Sequence, residues 1–465
     1  MLQERIQQYF EKAEKQIISD ITRLVAIRSV REEPQPGMPF GKGPAEALAA
    51  ALAMAGEMGF ATANIDNYVG TVDLNDRETR LGILCHLDVV AEGSGWSTPP
   101  YTVVQKDGML FGRGTSDDKG PLVAALYALK AVKDLGISLK YNTRLILGTD
   151  EETDSADIKY YFARHAAPPY TFSPDGFFPV TNTEKGSYKT TFTKTWEVSE
   201  ALPRITAIKG GNIINVIPAE AEARVQGLTT AELQPHCNQA ARSTGVEFTM
   251  SEEGDQIRIL AKGTGGHAAK PQKGNNAVTA LLNLLASLPI AESESFTAVQ
   301  QLNRLFPHGD YLGQAIGIAQ ADEISGPLTL SFNIFEQNLS GFKGRFDSRT
   351  PLCAARENCM DVVDARFAAL GIQVENKITP PHHTPCDSPF VQTLLNAYEQ
   401  YTGLNGFCEA TGGGTYVHDI EGGVAFGAIL PGFEPYFHGA DERVRISDLL
   451  TAAKIFTQVI VDLCA

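Results

Sequence analysis

The segment Gly82–Val90, GILCHLDVV, constrains the fold more than any other part of the chain. Apolar side chains fill both of its faces, and only His86 and Asp88 interrupt them. Successive side chains of a strand point to opposite faces. A strand that is apolar on both must lie inside a sheet covered on both sides. Arg144–Leu147 reads as a second buried strand, and Gly120–Leu135 between them reads as a helix. Strands alternating with helices predict an α/β fold.

The rest of the chain divides around this pattern. Residues 3–29 carry Ile6, Phe10, Ile17, Ile21 and Leu24 at helical spacing, and Ala45–Met58 is an Ala-rich helix. Thr71–Leu74 reads as a further strand. Beyond Pro179 the character changes to β-rich stretches, Tyr188–Trp196, Glu222–Gln226 and Leu328–Phe335, with helices Ala277–Ala286 and Met360–Leu370. After Pro380-Pro381 the α/β pattern resumes with helix Pro389–Thr402, strand Val424–Phe426 and helix Ser447–Leu463. With 465 residues, more than one domain is expected. The reading is a discontinuous α/β domain, 1–180 plus 384–465, interrupted by an inserted α+β domain, 181–383.

Composition excludes several classes. The net charge of −16 argues against a nucleic-acid or anionic-membrane binder. The most apolar run, Ala45–Gly56, is shorter than the ~20 residues of a membrane span. The N-terminal residues are polar and of mixed charge, unlike a signal peptide. Seven scattered cysteines without a CxxC pair indicate neither a zinc ribbon nor a disulfide framework. A cytoplasmic protein with reduced thiols is expected.

Chemistry-bearing residues cluster at the ends of the predicted strands. His86 and Asp88 lie two apart, on one face if the strand continues. An acid beside a histidine is the arrangement that fixes a metal-ligating imidazole. Gly112–Pro121, GRGTSDDKGP, places Asp117 and Asp118 together in a glycine loop ahead of a helix. Gly148–Glu152, GTDEE, directly follows a buried strand, where α/β folds hold ligands. Adjacent glutamates can divide labour there, one binding metal and the other moving protons. Asp175 lies in Ser173–Gly176, and His438 precedes Asp441 and Glu442. Counted together, two histidines and three acids can make a two-metal oxygen/nitrogen site suited to Zn²⁺ or Mn²⁺.

These motifs, in this order, resemble the M20 metallopeptidases, closest to the PepV-type dipeptidases of bacteria. The matching segments are HLDVV, GRGTSDDKGP, GTDEE and SPDGFFP (Ser173–Pro179). In the insertion they are NVIP (Asn215–Pro218), GGHAAKP around His267 and FDSRTP around Arg349. GGGTY (Gly412–Tyr416), VAFG (Val424–Gly427) and His438 complete the set. The resemblance implies two divalent metal ions per chain, Zn²⁺ first and Mn²⁺ as the alternative. His86 and Asp175 would hold one, Glu152 and His438 the other, and Asp117 would bridge them, with a cis peptide between Asp117 and Asp118. Asp88 would orient His86, and Glu151 would be the general base towards a water bridging the metals.

The insertion would be a lid carrying His267 for the tetrahedral oxyanion, Arg349 for a substrate carboxylate and Asn215 for positioning. Backbone N–H groups of Gly412, Gly413 and Gly414 would assist Arg349. The implied function is a metal-dependent dipeptidase hydrolysing dipeptides and other short peptides. The implied partner is a small peptide, with no nucleic acid and no membrane, and a monomer is favoured over a dimer. Two alternatives stand beside it. One is another activity of the family, an N-acyl amino acid amidohydrolase or an aminotripeptidase or carboxypeptidase. The other is a non-catalytic binding protein on the same scaffold, against which the presence of Glu151 argues. Two residues depart from the family's habit: Thr350 follows Arg349 where a tyrosine is common, and His418 lies beside GGGTY where an arginine is common.

Overall fold

The computed structural model describes residues 2–465. They form two compact units. The first comprises residues up to Thr183 with His383–Glu409 and Gly414–Ala465, and the second Glu184–His382 with Ala410–Gly413.

The core of the first unit is a parallel sheet. Asn142–Gly148, Thr79–His86, Tyr170–Ser173 and Val424–Ala425 lie side by side in that order, all parallel. Val69–Asp73 and Ala61–Ile65 extend one edge antiparallel. Leu81, Ile83, Leu84 and Cys85 are fully buried, which is why an all-apolar segment occupies the centre. Helices Leu2–Val25, Lys119–Asp134 and Ile446–Cys464 pack together against the sheet. The fold is mixed α/β, as the alternation of elements indicates.

Two of the boundaries that differ from expectation have clear physical causes. The first helix stops at Val25 rather than continuing to residue 29. The buried ammonium of Lys119 donates to the carbonyls of Leu24 and Ile27. A cation there satisfies carbonyls that the helix end leaves open and complements its dipole. The central strand stops at His86 instead of Val90. Beyond it the Ser29 hydroxyl donates to the Leu87 carbonyl, and Val89 N–H donates to the Ser29 carbonyl, drawing the chain off the sheet.

The second unit is an eight-stranded antiparallel sheet. Its four strands nearest one edge run Thr329–Asn338, Gly341–Thr350, Gly186–Thr195 and Gln373–Thr379. Alternation along Gly186–Thr195 buries Tyr188, Thr190 and Phe192 and leaves Ser187, Lys189 and Thr191 half-buried. Phe192 meets Phe306, Phe332, Phe346 and Phe367, so its side of the sheet carries the helices and the core.

The expectation of reduced thiols throughout needs correction. Cys386 and Cys408 form a disulfide, with Cα atoms 6.1 Å apart. Cys386 precedes helix Pro389–Thr402, and Cys408 begins the strand Cys408–Thr411 that follows it. The helix returns the chain to the same place, a proximity that spacing 22 apart does not reveal. The other five cysteines are free. No helix among the described residues is long and apolar enough to cross a membrane.

Candidate metal centre

The parallel sheet explains why distant residues meet. His86 ends one strand, and the neighbouring strand ends in register at Gly148, just before Glu151 and Glu152. The strand on the other side ends at Ser173, two residues before Asp175. Ligands therefore gather at the carboxyl ends of three adjacent strands. Gly148 admits no side chain, because a Cβ there would collide with the Tyr416 hydroxyl.

Asp117 is the hub. Its Oδ1 lies 2.9 Å from His86 Nε2, and its Oδ2 lies 3.1 Å from His438 Nε2. His438 Nε2 is also 3.1 Å from Glu152 Oε2, and His86 Nε2 is 3.8 Å from Asp175 Oδ2. His86, Asp117 and Glu152 present ligand atoms within 4.8 Å of one another, and so do His86, Glu151 and Asp175. The peptide between Asp117 and Asp118 is cis. Asp118 is fully buried, and its Oδ2 accepts the backbone N–H of His86.

The electrostatics show what this cluster requires. Burial pushes the Glu151 carboxyl well above its usual range. Asp175, Glu152 and Asp117 add to that against the pull of His86. Burial, with Asp117 next, raises Asp175 to about 7. Burial opposes protonation of His438, but hydrogen bonds to Asp117 and Glu152 prevail and raise it to about 11. His86, also buried, is lifted well above its usual value by Asp117 and Asp88. Carboxylates packed this closely favour positive charge beside them, which is why both imidazoles shift upward. Divalent cations would supply it instead, and the donors are all carboxylate and imidazole, which suits Zn²⁺ or Mn²⁺. The donor set fits such ions. Cys85 is fully buried, and burial raises its thiol, so it offers no thiolate.

Asp88 does more than the sequence indicated. His86 Nδ1 lies 3.0 Å from the Asp88 carbonyl and 3.5 Å from its Oδ1. The Asp88 carboxylate also accepts the backbone N–H groups of Glu151 and Glu152, each at 3.1 Å. It thus holds both glutamates as well as the imidazole.

Sequence reasoning missed a second support. Glu442 is fully buried and pairs with Arg113 at 2.7 Å. It also accepts backbone N–H groups from Gly114, Ser116 and Asp117 and the Ser116 hydroxyl. The loop that presents Asp117 is wrapped around this one carboxylate. Arg113 and Glu442 are 329 residues apart, and no spacing pattern links them. Their one sequence signal is that both adjoin ligand motifs. Asp157 was missed likewise: it accepts the Tyr416 hydroxyl and the backbone N–H of Asp150 behind the GTDEE turn.

The remaining expected site residues, Gly414 excepted, belong to the second unit. Asn215 and His267 adjoin through the short ladder Val216–Ile217 with Gly266–His267, and the Asn215 carbonyl accepts Ala268 N–H. Arg349 donates to the Gly412 carbonyl at 2.8 Å and to Asp347 at 3.0 Å. Gly412 therefore engages Arg349 through its carbonyl, not its N–H, and Gly413 N–H is turned onto Thr411 Oγ1. Gly414 lies in the first unit.

This geometry defines a class: an α/β scaffold with a carboxylate–imidazole cluster built for divalent cations. Residues 82–462 match the profile of peptidase family M20/M25/M40, and the chain belongs to that family of hydrolases. It is 33% identical to the YtjP protein of Bacillus subtilis (strain 168) over 97% of this chain and 98% of that one. It is 32% identical to the Beta-Ala-Xaa dipeptidase of Lactobacillus delbrueckii subsp. lactis, over 96% of each chain. Among solved structures it shares its fold with human carnosine dipeptidase 1. There the TM-score is 0.62 at 16% identity, over 100% of this chain and 99% of that one.

Proposed function

We propose that the protein is a dipeptidase that hydrolyses the peptide bond of dipeptides and other short peptides. The observation that carries the reading is Asp117, whose two carboxylate oxygens face two different imidazoles, His86 and His438. Such a carboxylate would serve two ions, with His86 and Asp175 holding one and His438 and Glu152 the other. The 32% identity to a Beta-Ala-Xaa dipeptidase over nearly the whole chain supports the substrate class.

When bound, the two cations would supply Lewis acidity, lowering the pKa of a water they share and drawing charge from the substrate carbonyl. Glu151 takes the proton of the attacking water as the new C–O bond forms. It then hands that proton to the leaving amine as the C–N bond breaks. Asp88 keeps Glu151 and Glu152 in place through their backbone N–H groups. His267 donates to the oxyanion. Arg349 receives the C-terminal carboxylate with its planar fork. Asp347 and the Gly412 carbonyl hold that fork, and Asn215 positions the scissile unit. The site of action is the cytoplasm, and the working form is a monomer.

A substrate panel tests this reading. Metal-reconstituted protein is assayed against dipeptides, tripeptides, longer peptides and N-acyl amino acids. The dipeptides should have the highest kcat/KM. Equal or faster turnover of N-acyl amino acids would replace the reading with an amidohydrolase.

A further inference from the structure

The sheet face that carries Arg349 is more basic than the chain as a whole. Arg345, Asp347 and Arg349 alternate along one strand and so share a face. On the adjacent strand, Lys189 pairs directly with Asp347, Thr191 with Arg345 and Ser187 with Arg349. One strand further, Lys377 pairs with Lys189 and Glu375 with Thr191. The opposite face holds Tyr188, Phe192 and Phe346 against the helices. Over these three rows four cations face two carboxylates, on a protein of net charge −16.

Two of the cations are left over. Asp347 Oδ2 lies 3.0 Å from Arg349, while its buried Oδ1 makes no hydrogen bond among the described residues. Among the described residues, the charged ends of Lys189 and Arg345 have no hydrogen-bond or ion-pair partner, although both side chains are half-buried. Burial, opposed by Asp347 and reinforced by Arg349, Lys377 and Arg345, depresses the Lys189 ammonium below its usual value. Crowding unpaired cations beside a carboxylate-binding arginine is unfavourable unless an anion arrives. A diagonal cross-strand neighbour lies roughly 7–8 Å away, within reach of long side chains. Lys189 is the diagonal neighbour of both Arg349 and Arg345, so an anion seated at Arg349 and bearing a second carboxylate would reach Lys189, which Arg345 flanks on the far side.

We propose that Lys189 and Arg345 form, beside Arg349, a subsite for a second substrate carboxylate, making dipeptides with C-terminal Asp or Glu the preferred class. The inference rests on the reading of the protein as a dipeptidase with Arg349 at the C-terminal carboxylate. Ala-Glu and Ala-Gln are the discriminating pair, since they differ in charge and hardly in shape.

The full-length, metal-reconstituted protein is assayed with both. Ala-Glu should exceed Ala-Gln in kcat/KM by about tenfold, chiefly through KM, and the ratio should shrink as salt screens the subsite. In the Lys189→Gln, Arg345→Gln double variant the ratio should fall towards one. The salt series on the unaltered protein tests the subsite even if that variant does not fold. Cleavage of Ala-Gln as fast as Ala-Glu by the unaltered protein overturns the subsite and leaves the dipeptidase reading standing. A ratio unchanged in the folded variant overturns it too. Failure to cleave either peptide, with an N-acyl amino acid turned over, overturns both.

Discussion

At the scale of single residues, the proposed metal centre is held by carboxylates that support its other residues, Asp88 and Glu442. Asp88 joins His86 to the backbone of Glu151 and Glu152, so Asp88→Ala should loosen all three. Residues that orient ligands typically change metal affinity or activity by about 10–100-fold, and a loss in that range is expected in both metal titration and kcat. Glu442 is a buried partner of Arg113 and of three backbone N–H groups. Glu442→Gln leaves a buried guanidinium uncompensated and should destabilise the protein by about 3–5 kcal/mol. Denaturant unfolding of the first unit would measure it, and a loss below about 1 kcal/mol would mean that the loop holds without it. The ligand motifs were legible because each is a short run of unusual composition: HLD, SDDKG, DEE. Glu442, Arg113 and Asp157 were not, because what defines them is a contact hundreds of residues away in sequence or behind a turn.

At the scale of elements, periodicity located what packing enforces. Helices Ala277–Ala286 and Pro389–Thr402 begin and end where the sequence places them, and the structure shows Asn276 and Ser388 capping their starts and Gly403 closing the second. Where a tertiary partner intervenes, as Lys119 does at Val25 and Ser29 does beyond His86, the boundary moves, and no local signal announces it. In the second unit, Thr229 caps helix Thr230–Thr244 in a reciprocal capping box with Glu232. Thr229→Ala should cost about 1 kcal/mol. Phe192→Ala, at the meeting point of the phenylalanine cluster, should cost about 3–5 kcal/mol. The two, read by chemical denaturation, should differ clearly. Helix Pro389–Thr402 brings Cys386 to Cys408, so protein denatured without reductant should titrate five thiols rather than seven. Seven would show that this pair stays reduced.

At the scale of the whole molecule, the net charge of −16 says little, because its distribution carries the information. In the first unit, acids converge where three strands end and leave a demand for cations. In the second, cations converge around Arg349 and leave a demand for an anion. Family membership was legible from motif order, which no single motif could have supplied. The basic face was not, since it depends on strand register rather than on any run of residues. Because the carboxylate cluster repels itself without cations, chelator-treated protein should melt at a lower temperature and recover when Zn²⁺ or Mn²⁺ is added back. In the proposed mechanism Glu151 moves the proton while its neighbours hold the ions. Glu151→Gln tests it in one preparation, with metal content by elemental analysis and dipeptide turnover measured side by side. Two ions per chain should be retained, and kcat should fall by at least about 10²-fold. Turnover near that of the unaltered protein, with both ions still bound, would contradict it.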